Sequence, residues 1–111
     1  MKVLMIGMFP GTVEAMQAED GDLVIENIPP ERTTISEVQC KHNRYDAVVL
    51  NSVMMPPAMA TAVRDMYPST PIIAVGPAGT VREDVVAAAV CERAVSHPRL
   101  GIALALVAPR T

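Results

Sequence analysis

The sequence predicts an α/β protein: a three-layer sandwich with a five-stranded parallel sheet between two layers of helices. Three observations carry this. Apolar runs of strand length alternate about five times with segments of helical spacing along the 111 residues. Several of the strand-like runs have continuous apolar stretches, the pattern of strands buried on both faces. The connections between them are short, which favours parallel strands joined by right-handed helical crossovers.

The elements follow in order. Lys2 to Gly7 (KVLMIG) is the first strand. Thr12 is placed to cap a short helix, TVEAMQAE, with Ala15, Met16 and Ala18 inward. Asp20-Gly21-Asp22 is a turn. Leu23 to Ile28 is the second strand, stopped by Pro29-Pro30. Thr33 or Thr34 opens a second helix through about His42, with Ile35, Val38 and Cys40 on its inner face, and Asn43-Arg44 turns the chain. Asp46 to Asn51 (DAVVLN) is the third strand. Pro56-Pro57 starts a third helix with Met59, Val63 and Met66 on one face. Pro71 to Gly76 is the fourth strand. Thr80 caps a fourth helix through about Glu92, in which Val81, Val85, Ala88 and Ala89 recur at helical spacing. Arg93 to Ser96 is a short fifth strand. Pro98 suits the first turn of a last helix ending near Val107.

Length and composition bound the rest. The length predicts a single domain over residues 1–111, with enough core to fold without disulfide or metal. Half of the residues are apolar, but only Phe9, Tyr45 and Tyr67 are aromatic, so aliphatic side chains and methionines must build the core. The net charge of −3, with acids and bases mixed, leaves no basic footprint for nucleic acid. The longest apolar run, Ile102 to Ala108, is too short to span a bilayer. Cys40 and Cys91 lack any metal or redox spacing and read as two buried thiols, which suits a reducing cytoplasm.

The stretch Tyr45 to Gly76, YDAVVLNSVMMPPAMATAVRDMYPSTPIIAVG, resembles the response-regulator receiver domain. The family pattern is YD, an apolar strand, D-x-x-M-P-x-M-x-G, a helix carrying Arg, and P-x-x-PII. The YD entry, Met-Pro after strand three, Arg64, Pro68 and Pro71-Ile72-Ile73 recur in order, with a one-residue slip around Met54-Met55-Pro56. The resemblance covers about a third of the chain by motif, and the remainder by element order. It implies the flavodoxin-like strand order 2-1-3-4-5.

It also implies where chemistry would sit, and that this chemistry is missing. Receivers hold Mg²⁺ on an acidic pair after strand one, accept phosphate on an Asp ending strand three, and contact it through a hydroxyl after strand four and a Lys after strand five. These positions supply hard oxygen ligands, a carboxylate nucleophile, and groups that bind phosphate charge. Here Gly7 and Met8 replace the acids. Asn51 replaces the acceptor, Gly76 the hydroxyl, and His97 (before Pro98) the lysine. The resemblance is therefore to a degenerate pseudo-receiver. The expectation is a non-catalytic module with no metal and no cofactor.

Several residues leave two readings open. Asn51 is either a ligand contact or a strand-end amide that bonds loop backbone. His97 is either a titrating anion contact or a solvated loop residue. The glycine-containing loops Gly7 to Thr12 and Gly76 to Thr80 could seat an anion at a helix start, or merely turn the chain. Met8, Met54 and Met55 could form an adaptable surface or fill a vacated pocket.

The last helix is unusual. It lacks a polar face between Gly101 and Ala108, which suggests a partner surface. Leu100, Ile102 and Leu106 are the interface candidates. By family analogy the face would be the one made by helix four, strand five and helix five, with a protein partner or a second copy bound there. The competing expectation is a small-ligand binder or flavodoxin-like enzyme using the carboxyl edge of the sheet. That edge offers only Phe9, Asn51, Ser52 and His97.

Overall fold

The computed structural model describes residues 1–39, 44–77 and 82–107, with the side chains of Met54 and His97 outside that description. The order of elements is β1 (Lys2–Ile6), α1 (Pro10–Glu19), β2 (Val24–Ile28), α2 (Ile35–Gln39), β3 (Ala47–Asn51), α3 (Pro57–Met66), β4 (Ile72–Gly76), α4 (Glu83–Ala89), β5 (Arg93–Ser96) and α5 (Leu100–Val107). One-turn 3₁₀ segments follow β2, β3 and β5.

All strand pairs are parallel and the sheet order is β2-β1-β3-β4-β5, the flavodoxin-like arrangement expected. The apolar runs explain the placement. β3 and β4, buried at every position, lie inside the sheet, whereas β2 has an exposed Val24 and forms an edge. Alternate residues of each inner strand then face two separate cores. Leu4, Ile6, Val48, Leu50 and Ile72 pack with Val38, Val63 and Val85 on the side of α2, α3 and α4. Val3, Met5, Val49, Ile73 and Val75 pack with Val13, Leu100 and Leu104 on the side of α1 and α5.

A polar clamp closes the amino-terminal end of the sheet. The Lys2 amide donates to Asp46 Oδ2 at 2.7 Å, and the Asp46 amide returns a bond to the Lys2 carbonyl. Tyr45 donates its hydroxyl to Glu26 Oε2 at 2.6 Å, Lys2 Nζ lies 3.3 Å from Glu26 Oε1, and the Tyr45 ring meets Tyr67 edge to face at 5.8 Å. The YD pair of the motif thus has a structural role in β1–β3 pairing.

Four expectations change. First, α1 starts at Pro10, whose fixed φ suits the first turn, so Thr12 lies inside the helix and does not cap it. Val13 and half-buried Met16, three residues apart, face inward, while Ala15 and Ala18 are exposed. Second, Ile35 is 42% exposed, because α2 is a single described turn capped by the Thr34 hydroxyl and only Val38 reaches the core. Third, α4 is shorter than expected: it begins at Glu83 and ends at Ala89. Val90 terminates it with φ 50° and ψ 53°, a left-handed conformation uncommon for a β-branched residue. Fourth, Cys91 is half-buried, not buried. The expected Cys40, His42 and Asn43 features, and the Thr80 cap with Val81, lie outside the described residues.

Candidate functional site at the carboxyl edge of the sheet

Parallel sheets of this order present their loops outside the carboxyl ends of the strands, where ligands normally bind. The fold brings the sequence-selected positions to that edge. Gly7 leaves β1 with φ 79°, a turn that glycine adopts freely, and its amide donates to the Ile28 carbonyl at 2.7 Å. Asn51 ends β3, Gly76 ends β4, and His97 opens the turn after β5.

Asn51 is 4% exposed, and its amide is engaged at both ends. Nδ2 donates to the Gly7 carbonyl at 2.8 Å, while Oδ1 accepts from the Val53 amide at 3.3 Å and caps the short turn after β3. A carboxylate could not make the first of these bonds. The neighbouring Ser52, fully buried, donates its hydroxyl to the Val75 carbonyl at 2.9 Å. Met8 and Met55 are each 1% exposed and fill the space beneath the loops. At these positions the edge displays amide, hydroxyl, carbonyl and thioether groups. Each is committed to backbone or packing, and none offers a nucleophile or a hard anionic metal ligand.

Two residues not singled out from the sequence complete the edge. Arg82, just before α4, donates from its guanidinium to the Met55 carbonyl at 3.3 Å and to Asp84 at 2.6 Å. It ties the start of α4 to the loop after β3. The same guanidinium, through its hydrogen bond, holds the Asp84 carboxyl below its usual range. Asn27 donates to the Met8 carbonyl at 2.9 Å, bracing the loop after β1 from the next strand. Neither residue lies in a recognisable motif, and their contacts span 27 and 19 positions of chain. No local pattern could have revealed them.

The last helix divides its candidates. Ile102 and Leu106 are 66% and 61% exposed. Leu100 is 1% exposed and sits in the core beneath α1 and α5, which removes it from any partner surface. The helical phase gives the reason: Leu100, Ala103 and Leu104 form the stripe that seals the sheet. Ile102 lines a groove between α1 and α5.

No family model and no curated protein matches the sequence. Solved structures do match the fold. A response-regulator receiver domain protein from Clostridium thermocellum superposes with a TM-score of 0.70 at 13% identity, over 96% of this chain and 92% of that one. The chemotaxis response regulator CheY4 of Vibrio cholerae gives 0.69 at 19% identity, over 96% and 97%. The non-phosphorylated HemR receiver domain of Leptospira biflexa gives 0.69 at 18%, over 99% and 95%. The chain therefore has the fold of receiver domains along nearly its whole length.

Proposed function

We propose that this chain is a receiver-type regulatory module that is not phosphorylated and acts by binding protein. The fold it shares with solved receiver domains supports a signalling role. The observation that carries the loss of phosphorylation is Asn51: at the acceptor position an amide is locked between the Gly7 carbonyl and the Val53 amide. Gly7 and Met8 add no carboxylates with which to hold Mg²⁺. What remains available for regulation is the outer surface of α5, where Ile102 and Leu106 are exposed side by side on an apolar helix.

Incubation with acetyl phosphate and Mg²⁺, followed by intact-mass measurement, tests the first half. The expected result is an unchanged mass. A hydroxylamine-labile phosphoryl adduct would overturn it. For the second half, Ile102→Glu and Leu106→Glu should abolish partner or self binding with the circular dichroism spectrum intact. Unaltered binding by both variants would remove α5 from the interface.

A further inference from the structure

We infer that the groove between α1 and α5 is a self-association surface, seating α5 of a second copy of this chain; this rests on the reading of α5 as the contact surface. The groove is about 830 Å³. Small residues, Ala15 of α1 and Gly101 and Ala105 of α5, line it beside the apolar Met16, Leu23 and Leu104. Exposed Ile102 forms part of the rim.

Charge selects the occupant. Glu19, Asp20 and Asp22 gather at the end of the groove where α1 terminates, three carboxylates against the one Met1 ammonium, which donates to the Asp22 carbonyl. α5 is itself apolar along its outer side and carries exposed Arg99 immediately before its first residue. Helices α1 and α5 span about 15 and 12 Å at 1.5 Å per residue, so the groove and the helix offered to it are matched in length. A second copy packed antiparallel across the groove brings its Arg99 to the acidic end and its Ile102 and Leu106 against the apolar lining between α1 and α5. Two-fold symmetry makes the contact twice, so each copy supplies one helix and one groove. The acids at one end and the arginine at the other fix the antiparallel sense.

Sedimentation equilibrium of the full chain at micromolar to millimolar concentrations provides the test. A dimer is expected, weakened as salt rises because the charge pairs sit at an exposed rim. Ala15→Glu and Arg99→Glu should each raise the dissociation constant roughly tenfold or more. Arg99→Glu combined with Glu19→Arg and Asp22→Arg should restore much of that loss. A strict monomer, or a dimer indifferent to salt, would overturn the inference. So would a dimer lost in Leu106→Glu but unchanged in Ala15→Glu, which would place the contact on the α4–β5–α5 face. That outcome would leave the proposed binding role of α5 standing. The phosphorylation assay is independent of all of these results.

Discussion

Asn51 and Gly7 are joined across the β1–β3 pair by a buried hydrogen bond of 2.8 Å, from the Asn51 Nδ2 amide to the Gly7 carbonyl. The bond ties the turn after β1 to the end of β3. Asn51→Asp would set a carboxylate oxygen against that carbonyl at a site 4% exposed. The loss of the bond with a buried acceptor left facing a charge is expected to cost about 2–3 kcal/mol. Protonating the new carboxyl would recover a donor, so the variant should be less destabilised at pH 4 than at pH 7. Thermal unfolding at the two pH values checks this. An equal loss at both would show that the Asn51–Gly7 bond contributes little. On the proposed reading Asn51→Asp alone should not allow phosphorylation, because Gly7 and Met8 carry no carboxylate with which to hold Mg²⁺.

The clamp at the opposite end of the sheet gives a second prediction. Tyr45 donates to Glu26 at 2.6 Å, and Glu26 also meets Lys2 at 3.3 Å. Tyr45→Phe removes a hydrogen bond to a charged, part-buried acceptor and should cost about 1.5–2 kcal/mol. Lys2→Met should cost under about 1 kcal/mol, since that ion pair is partly exposed and screened. Denaturant titration of the two variants would show the ranking, and a larger loss for Lys2→Met would reverse it.

Much of this was legible in the sequence, for a definite reason. Stretches such as AVVL in β3 are continuously apolar, and a parallel sheet covered on both faces is the arrangement that buries them. The short turns between segments then leave few topologies. Helix phases were less legible. Val13, not Ala15, faces inward, and alanines carry too little hydrophobic signal to mark a face. At the candidate site, the absence of carboxylates could be read directly from Gly7, Met8 and Asn51. What those positions do instead could not. The Asn51–Gly7 and Arg82–Met55 bonds join distant segments, and the groove beside Ile102 exists only once α1 and α5 are set on the sheet.

Val90 ends α4 with φ 50°, a conformation that costs a β-branched residue about 1–2 kcal/mol. Its side chain is 59% exposed, so little packing is lost on its removal. Val90→Gly should therefore stabilise the fold by about 0.5–1 kcal/mol, the relief of strain exceeding the added chain entropy of glycine. The expected rise in melting temperature is about 2–6 °C. A fall would mean that the left-handed cap is not the native end of α4.

Burial raises two acids in the alkaline range. It pushes the Cys91 thiol up to about 11 from an ordinary 9.0, with nearby Arg64 partly opposing. Burial, aided by the charge of Glu26, raises the Tyr67 phenol above 10.0. In both cases the folded pKa exceeds the unfolded value. Their contribution to stability is therefore fully present below pH 9 and is lost as pH rises through the folded values. Stability should begin to fall above about pH 9, and Cys91→Ser with Tyr67→Phe should flatten that fall. Alkylation gives a second check. In a Cys40→Ser background at pH 8, iodoacetamide should label Cys91 slowly in the native state and faster in denaturant, because the thiolate is the reactive form. Equal rates would show that Cys91 is not held protonated by the fold.

Leu100 and Leu106 share one helix and differ in what they touch, which separates folding from recognition on α5. Leu100 is 1% exposed, within the core that includes Val3, Ile73 and Val75. Leu100→Ala should cost about 2–4 kcal/mol through lost burial and the cavity left behind. Leu106 is 61% exposed, and Leu106→Ala should change stability by less than about 0.5 kcal/mol. If exposure on α5 serves recognition, the order inverts in a binding or self-association measurement. Leu106→Ala should weaken the complex directly, whereas Leu100→Ala should weaken it only under conditions that also unfold the chain. Parallel stability and binding curves for the two variants would reveal that inversion. A Leu106 substitution silent in both would mean that this side of the helix is bare surface, and that recognition on α5 depends on Ile102 and the groove beside it.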